Sequence, residues 1–256
     1  TFFLRIIALL QNITIHKYNN LISRSFHMFK KFFTATALLL VTTIGIASAQ
    51  NYYDQISPKV DNIYNPDNIE VVTIFSYACP ACNAFEPLYQ NWKESQADND
   101  YLTTISLAAP GQGTWTLYAQ TFYTLEAMNE LEKGHQAFFN AIHKERKRFI
   151  NEKQIADFMK TQGIDRDKFL KAWNSFGAKS SFNRAAELIS NQYQVPFTPA
   201  VIIDGQYLLS ADKASRRPGN ENAYQKLIIT MNEVIEKVKN DRGITSEIIE
   251  VETEEQ

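Results

Sequence analysis

The sequence predicts an α/β fold with an inserted helical domain, and three observations carry that reading. A strand, a helix and a second strand follow one another between Ile69 and Ala108. From Thr114 to about Tyr193 the apolar periodicity is helical throughout. Two short strands then return at Ala200 to Ile203 and Gln206 to Leu209, and a last amphipathic helix follows. Strands on either side of a long helical run imply one sheet with a helical insertion.

The start of the chain gives its destination. Met28 is followed by Phe29-Lys30-Lys31, then by an uncharged apolar stretch from Phe32 to Ile46 and by Ala47-Ser48-Ala49. Basic, apolar and small-x-small regions in that order make 28–49 a signal peptide, with cleavage expected before Gln50. The apolar run is shorter than the roughly 18 residues of a membrane span. No cysteine lies near the cleavage site, which excludes a lipid anchor through cysteine. Residues 1–27 precede Met28 and are set aside as a non-native upstream extension. Cleavage would remove five basic residues (Arg5, Lys17, Arg24, Lys30, Lys31) and no acidic one. That takes 26 basic and 28 acidic residues to 21 and 28, a net of −7 instead of −2. Such a balance argues against nucleic acid or an anionic membrane as the main partner. The 207 residues that remain suit one globular body. An exported destination is also an oxidising one, where disulfides persist.

Ile69 to Tyr77 (IEVVTIFSY) reads as a buried strand rich in β-branched and aromatic residues. A helix is expected from Pro80 to Gln96, opened by a proline whose missing N–H has no partner in a first turn and kinked by Pro87. Tyr101 to Ala108 reads as the second strand. Within the helical run, Leu117, Phe122, Leu125 and Met128 form one apolar stripe, and Phe138, Phe139 and Ile142 another. Asn151 with Gln154 is a capping-box signal. Gly163 marks a helix end and Asp165 the next cap. Asp204-Gly205 signals a two-residue hairpin turn. Asn222 to Lys239 reads as the final helix, with Leu227, Ile228, Met231, Val234 and Ile235 inward. The acidic tail 243–256 is expected to be disordered. The domain reading is therefore a first sheet part over 50–113, a helical insertion over 114–182 and a second sheet part over 183–242.

The chain has two cysteines, both in Cys79-Pro80-Ala81-Cys82. Placed where a strand runs into a helix, Cys79 meets the unpaired N–H groups and positive dipole end that stabilise a thiolate. Cys82, one turn later, faces it from a deeper position. Such a pair can exchange disulfides through a mixed disulfide at Cys79. A metal site is the weaker reading, because His135 and His143 lie eight residues apart, outside paired zinc spacing. A purely structural disulfide is also weak, because so small a ring restricts little of the unfolded chain. No metal and no other cofactor is expected. The redox group is the cysteine pair.

Phe75-Ser76-Tyr77-Ala78-Cys79-Pro80-Ala81-Cys82, followed by Phe85-Glu86, resembles the active site of the DsbA family of periplasmic thiol:disulfide interchange proteins. Ala172-Trp173-Asn174-Ser175-Phe176 and the stretch Val201 to Tyr207 are similar to that family's later segments, and the likeness covers most of residues 52–240. It implies a thioredoxin fold with a central mixed sheet and an inserted helical domain. It also implies a cis-proline facing the cysteines, at Pro199 in preference to Pro196 because Pro199 abuts the strand. Thr198 would then offer backbone to an extended substrate. Phe75, Tyr77 and Phe197 are candidates for a substrate groove, against the plainer expectation that aromatic residues flanking strands are core.

Two positions depart from the family pattern. Ala81 stands where His is common, which predicts a less depressed Cys79 pKa and a weaker oxidant. Thr73 stands where a buried acid assists proton transfer. Glu86 is a candidate to take over part of that role, although an exposed helix glutamate is the plainer expectation. The run from His143 to Arg148 reads as a solvated helix face.

The function expected is that of a monomeric periplasmic oxidase that introduces disulfides into reduced or unfolded exported proteins and is reoxidised by a DsbB-type quinone-linked membrane partner. A reductase or isomerase of the same fold is the alternative, and a non-catalytic chaperone for exported chains comes after it.

Overall fold

The computed structural model describes residues 52–244. The signal peptide, the upstream extension and all but the first two residues of the acidic tail lie outside the described residues. Five strands form one mixed sheet, β1 (Tyr53–Gln55), β2 (Ile69–Phe75), β3 (Leu102–Ala108), β4 (Ala200–Ile203) and β5 (Tyr207–Leu209), in the order β1-β5-β4-β2-β3. β2 pairs parallel with β3 and antiparallel with β4, and the remaining pairs are antiparallel. The parallel pair is joined through helix α1 (Pro80–Ser95), the crossover a parallel connection needs.

Every residue of β2 is buried, as its β-branched composition requires of a central strand covered on both faces. Alternation divides its side chains. Val72 and Ile74 point to one core and Ile69 and Val71 to the other. The first core is filled by the helical segment, α2 (Thr114–Ala127), α3 (Leu131–His143), α4 (Glu152–Thr161), α5 (Arg166–Trp173) and α6 (Phe176–Glu187). Phe122, Tyr123, Phe138 and Phe139 are its buried centre; Phe122, Phe138 and Phe139 belong to the apolar stripes, of which Leu117, Met128 and Ile142 are only partly buried. The second core packs Phe85, Tyr89 and Trp92 of α1 against Leu227, Met231, Val234 and Ile235 of α8 (Ala223–Arg242).

The caps follow the sequence closely. Asp165 accepts from the Lys168 amide as expected, and Asn222, read as the first residue of the last helix, is instead its N-cap and forms a full capping box with Gln225. At α4 the box is opened by one residue. Asn151 accepts from the Gln154 amide, but the Gln154 side chain accepts from Ile150 N–H instead of Asn151. Gly163 ends α4 in the left-handed region, at φ 80°. α6 passes into a π-helical turn over Leu188–Gln192, which carries the helical run to the Tyr193 boundary.

Several boundaries move. β2 stops at Phe75, so Tyr77 lies in the turn and not in the strand. The Asp204-Gly205 hairpin has a three-residue loop, because Ile203 pairs with Tyr207 and Gln206 is spent in the turn. Both turn residues have positive φ, 52° and 66°, and a side chain at Gly205 would collide with the Val60 carbonyl. β1 and a short helix, α7 (Ala211–Ser215), had no periodic signal long enough to announce them. α3 ends at His143, so Lys144 to Arg148 are solvated as expected but lie in a loop instead of on a helix face. No helix among the described residues is long and apolar enough to cross a membrane.

Candidate active site

β2 delivers the chain to a turn in which the Cys79 amide donates to the Ser76 carbonyl at 3.0 Å. Cys79 is the N-cap of α1, in extended conformation, and its Sγ accepts from the Cys82 amide at 3.4 Å. A sulfur thus takes the place that a Ser or Asp oxygen holds at ordinary caps, and it meets a helix N-terminus. Pro80 occupies the first turn and Ala81 is half-buried beside the pair. Both cysteines are free thiols, Cys79 at 7% and Cys82 at 1% exposure. Across the site, the loop before β4 brings Thr198, whose carbonyl lies 3.5 Å from Cys79 Sγ. The Thr198-Pro199 peptide is cis, and Pro199 is buried against the sheet. Pro196 is exposed and not among the cis peptides.

The two sulfurs differ sharply in acidity. Hydrogen bonding from the Cys82 side chain lowers the Cys79 pKa from 9.0 to about 5. The Thr198 side chain and the amides of Cys82 and Ala81 act in the same direction, and burial opposes them. Cys82 is pushed well up, because its proton is held by Cys79 and because it is buried. At neutral pH the pair is a nucleophilic thiolate over a protonated thiol. The cause of the low pKa is the pair itself, the Thr198 side chain and the helix amides, with no contribution from a side chain at position 81.

Three candidate positions are corrected. Phe75 and Tyr77 are 2% and 1% exposed and pack edge-to-face with each other and with Phe122, Phe138 and Phe139, so they are core and line no groove. Glu86 is not an exposed helix glutamate. It is 4% exposed, and its Oε1 accepts from His135 Nε2 at 2.9 Å and from Gln90 at 2.6 Å. Phe197 is 39% exposed on the same loop as Thr198. Thr73 is buried, and its hydroxyl has no hydrogen-bond partner among the described residues.

An α/β sheet with a helical segment between β3 and β4, and a low-pKa cysteine at the helix after β2, are features shared with known proteins. The chain is 36% identical over 179 residues to the thiol:disulfide interchange protein DsbA of Pseudomonas aeruginosa, covering 67% of this chain and 83% of that one. The chain belongs to the DsbA family. Its activity class is protein-disulfide oxidoreduction. The DsbA of Azotobacter vinelandii is 36% identical over 163 residues, 64% of this chain and 73% of that one. The crystal structure of the Pseudomonas aeruginosa DsbA superposes with a TM-score of 0.68 at 32% identity, covering 75% of this chain and 94% of the other. The family profile of the DSBA-like thioredoxin domain matches residues 101–220, a segment that begins after the cysteines. DsbA-family proteins work through a redox-active disulfide in place of a cofactor. Among the described residues no cluster of His, Cys, Asp and Glu could hold a metal ion.

Three residues of the site have no signature in the sequence. Tyr224, at the start of α8, packs its ring on Phe85 at 5.8 Å, and its pKa is raised by burial and by the charges of Cys79 and Cys82. His135 bridges Glu86 to the Tyr77 hydroxyl, 2.7 Å from Nδ1. His143 Nε2 donates to the Tyr77 carbonyl at 2.7 Å. Sequence separations of 49 to 139 residues hid these contacts. The one clue was that both histidines sit on the helix carrying Phe138 and Phe139.

Proposed function

We propose that Cys79 and Cys82 are the catalytic pair of a periplasmic oxidase that transfers its disulfide to exported proteins. The observation that carries the reading is the split between the two sulfurs, Cys79 low at about 5 and Cys82 pushed up. A substrate thiolate attacks Cys79 Sγ of the oxidised pair. The Cys79–Cys82 bond breaks, Cys82 leaves and takes a proton, and a mixed disulfide forms on Cys79. A second substrate thiolate then attacks the substrate sulfur of that mixed disulfide. Cys79 departs as a stable thiolate, the substrate has lost two electrons and the pair has gained them. A leaving group with a low pKa departs fast and holds the reduced form, which drives electrons from substrate to enzyme.

Thr198 and Pro199 support Cys79 from the opposite side, and an extended substrate segment pairs with the Thr198 backbone as an added strand. Phe197, exposed beside them, lines the substrate face. Pro80 and Ala81 shape the turn between the cysteines. The signal-like segment 28–49 directs export, the functional body divides at about 114 and 182 into sheet and helical parts, and a DsbB-type quinone-linked membrane protein restores the disulfide. The test is a reduced, unfolded substrate mixed with stoichiometric oxidised protein. Net substrate oxidation matched by appearance of the Cys79 thiolate supports the oxidase. Rescue of a scrambled substrate without net oxidation shows an isomerase instead.

A further inference from the structure

The helical segment touches the redox site through one buried polar chain. His135 of α3 stands between the Tyr77 hydroxyl and the Glu86 carboxylate, at 2.7 and 2.9 Å, and Gln90 completes the carboxylate's partners. The order of donors follows from the chemistry. A carboxylate only accepts, so His135 Nε2 carries a hydrogen toward Glu86, and Nδ1 meets the Tyr77 hydroxyl. The ring is walled by Phe75, Phe122 and Phe139, at 5.3 to 5.9 Å between centroids. Glu86 lies four residues after Cys82 on α1, so the two side chains share one helix face. Both are buried, Cys82 at 1% and Glu86 at 4% exposure, so a charge at Glu86 is weakly screened.

We propose that His135 is a positioning residue for the redox site, acting through Glu86: its buried hydrogen bond fixes the carboxylate one turn beyond Cys82 and so sets the electrostatic background of the cysteine pair. The inference rests on the oxidase reading of that pair. Burial pushes the Glu86 pKa up, yet hydrogen bonding and charge from His135, with Gln90 and Lys93, hold it below the ordinary carboxylate value. Without the imidazole, burial is left against Gln90 and Lys93 alone. The groups that face His135 are few. α1 supplies Glu86, Lys93 and Glu94, α2 supplies Glu126, α3 supplies Glu132, and the preceding loops supply Tyr64 and Tyr77, most of them around a cavity of about 640 Å³ that His135 also lines. β3 contributes only Thr104, Ile105 and Ser106 there, none of them charged.

His135→Phe keeps the ring packing and removes both nitrogens. The measurement is the equilibrium of the Cys79–Cys82 pair against glutathione across about pH 5 to 8, for the full chain, the variant and His135→Phe/Glu86→Gln. In His135→Phe, the Glu86 pKa rises, because burial loses its main opponent. Above its pKa it is an anion without its imidazole partner, and it disfavours the Cys79 thiolate. Below it the carboxyl is neutral and the pair becomes more oxidising. The profile therefore gains an inflection of roughly tenfold, one unit of pKa, and Glu86→Gln in the same background erases it. Superimposable profiles for the full chain and His135→Phe overturn the inference. If His135→Phe does not fold, Glu86→Gln alone must shift the equilibrium toward the dithiol, and an unchanged equilibrium overturns the inference equally. A full chain that exchanges no thiols at all contradicts the oxidase reading instead.

Discussion

The Cys82 amide donates to Cys79 Sγ at 3.4 Å, so the reactive sulfur is the cap of the helix that carries its partner. Backbone that would otherwise lack a partner at the helix start thereby stabilises a thiolate, and the resolving thiol adds its own hydrogen bond. The acidity of Cys79 is built from this turn.

Titration of the thiolate absorbance of the reduced protein is expected to give a midpoint near 5. Cys82→Ala removes the largest cause and moves the midpoint upward. Ala81→His adds a donor beside the sulfur and moves it downward. A midpoint that ignores Cys82→Ala contradicts the assignment of that cause.

Thr198→Val removes the hydroxyl beside Cys79 and leaves the Thr198 backbone, whose carbonyl lies 3.5 Å from the sulfur. Hydrogen bonds to charged groups contribute about 1.5 kcal/mol or more, so the Cys79 pKa should rise by about one unit. The same titration reads it.

Stability of the reduced protein follows from the sign of the Cys79 shift. Its folded value of about 5 lies below the ordinary 9.0, so the folded state binds the proton less well than the unfolded chain. The stabilisation is fully present above about pH 9 and is lost as pH falls through about 5. The melting temperature of the reduced form, relative to the oxidised form that lacks the thiolate, is expected to fall as pH is lowered across that window. A constant difference contradicts the depressed pKa.

Phe75 and Phe197 separate core from substrate face. Phe75→Ala should cost about 3–5 kcal/mol of unfolding free energy. Phe197→Ser should change stability by at most about 0.5 kcal/mol while slowing oxidation of an unfolded substrate. Denaturant unfolding and a turnover assay distinguish the two.

How far the sequence shows this site depends on the range of the interaction. The order of the main elements was readable because burial writes its period into local residues. Ile69 to Phe75 is apolar throughout, and the stripes of α2 and α3 repeat at helical spacing. The cap at Asp165 was readable because a capping side chain reaches only three residues. Cys79 and Cys82 were readable for the same reason. Glu86 was misjudged because its burial depends on His135, 49 residues away on another helix, and a glutamate on a helix carries no local mark of a distant partner. Phe75 and Tyr77 were ambiguous because an aromatic residue at a strand's end serves core or groove equally well. Only the packing of Phe122, Phe138 and Phe139 around them decides it. Tyr224 packs on Phe85 from the other end of the chain and had no signature at all.

The most direct measurement is the equilibrium of the Cys79–Cys82 pair against glutathione at neutral pH. A Cys79 thiolate held near pKa 5 predicts that glutathione reduces the pair readily, leaving it dithiol at ratios of reduced to oxidised glutathione that keep an ordinary structural disulfide closed. A pair that stays oxidised under those ratios would contradict the oxidase and make the protein a reductant.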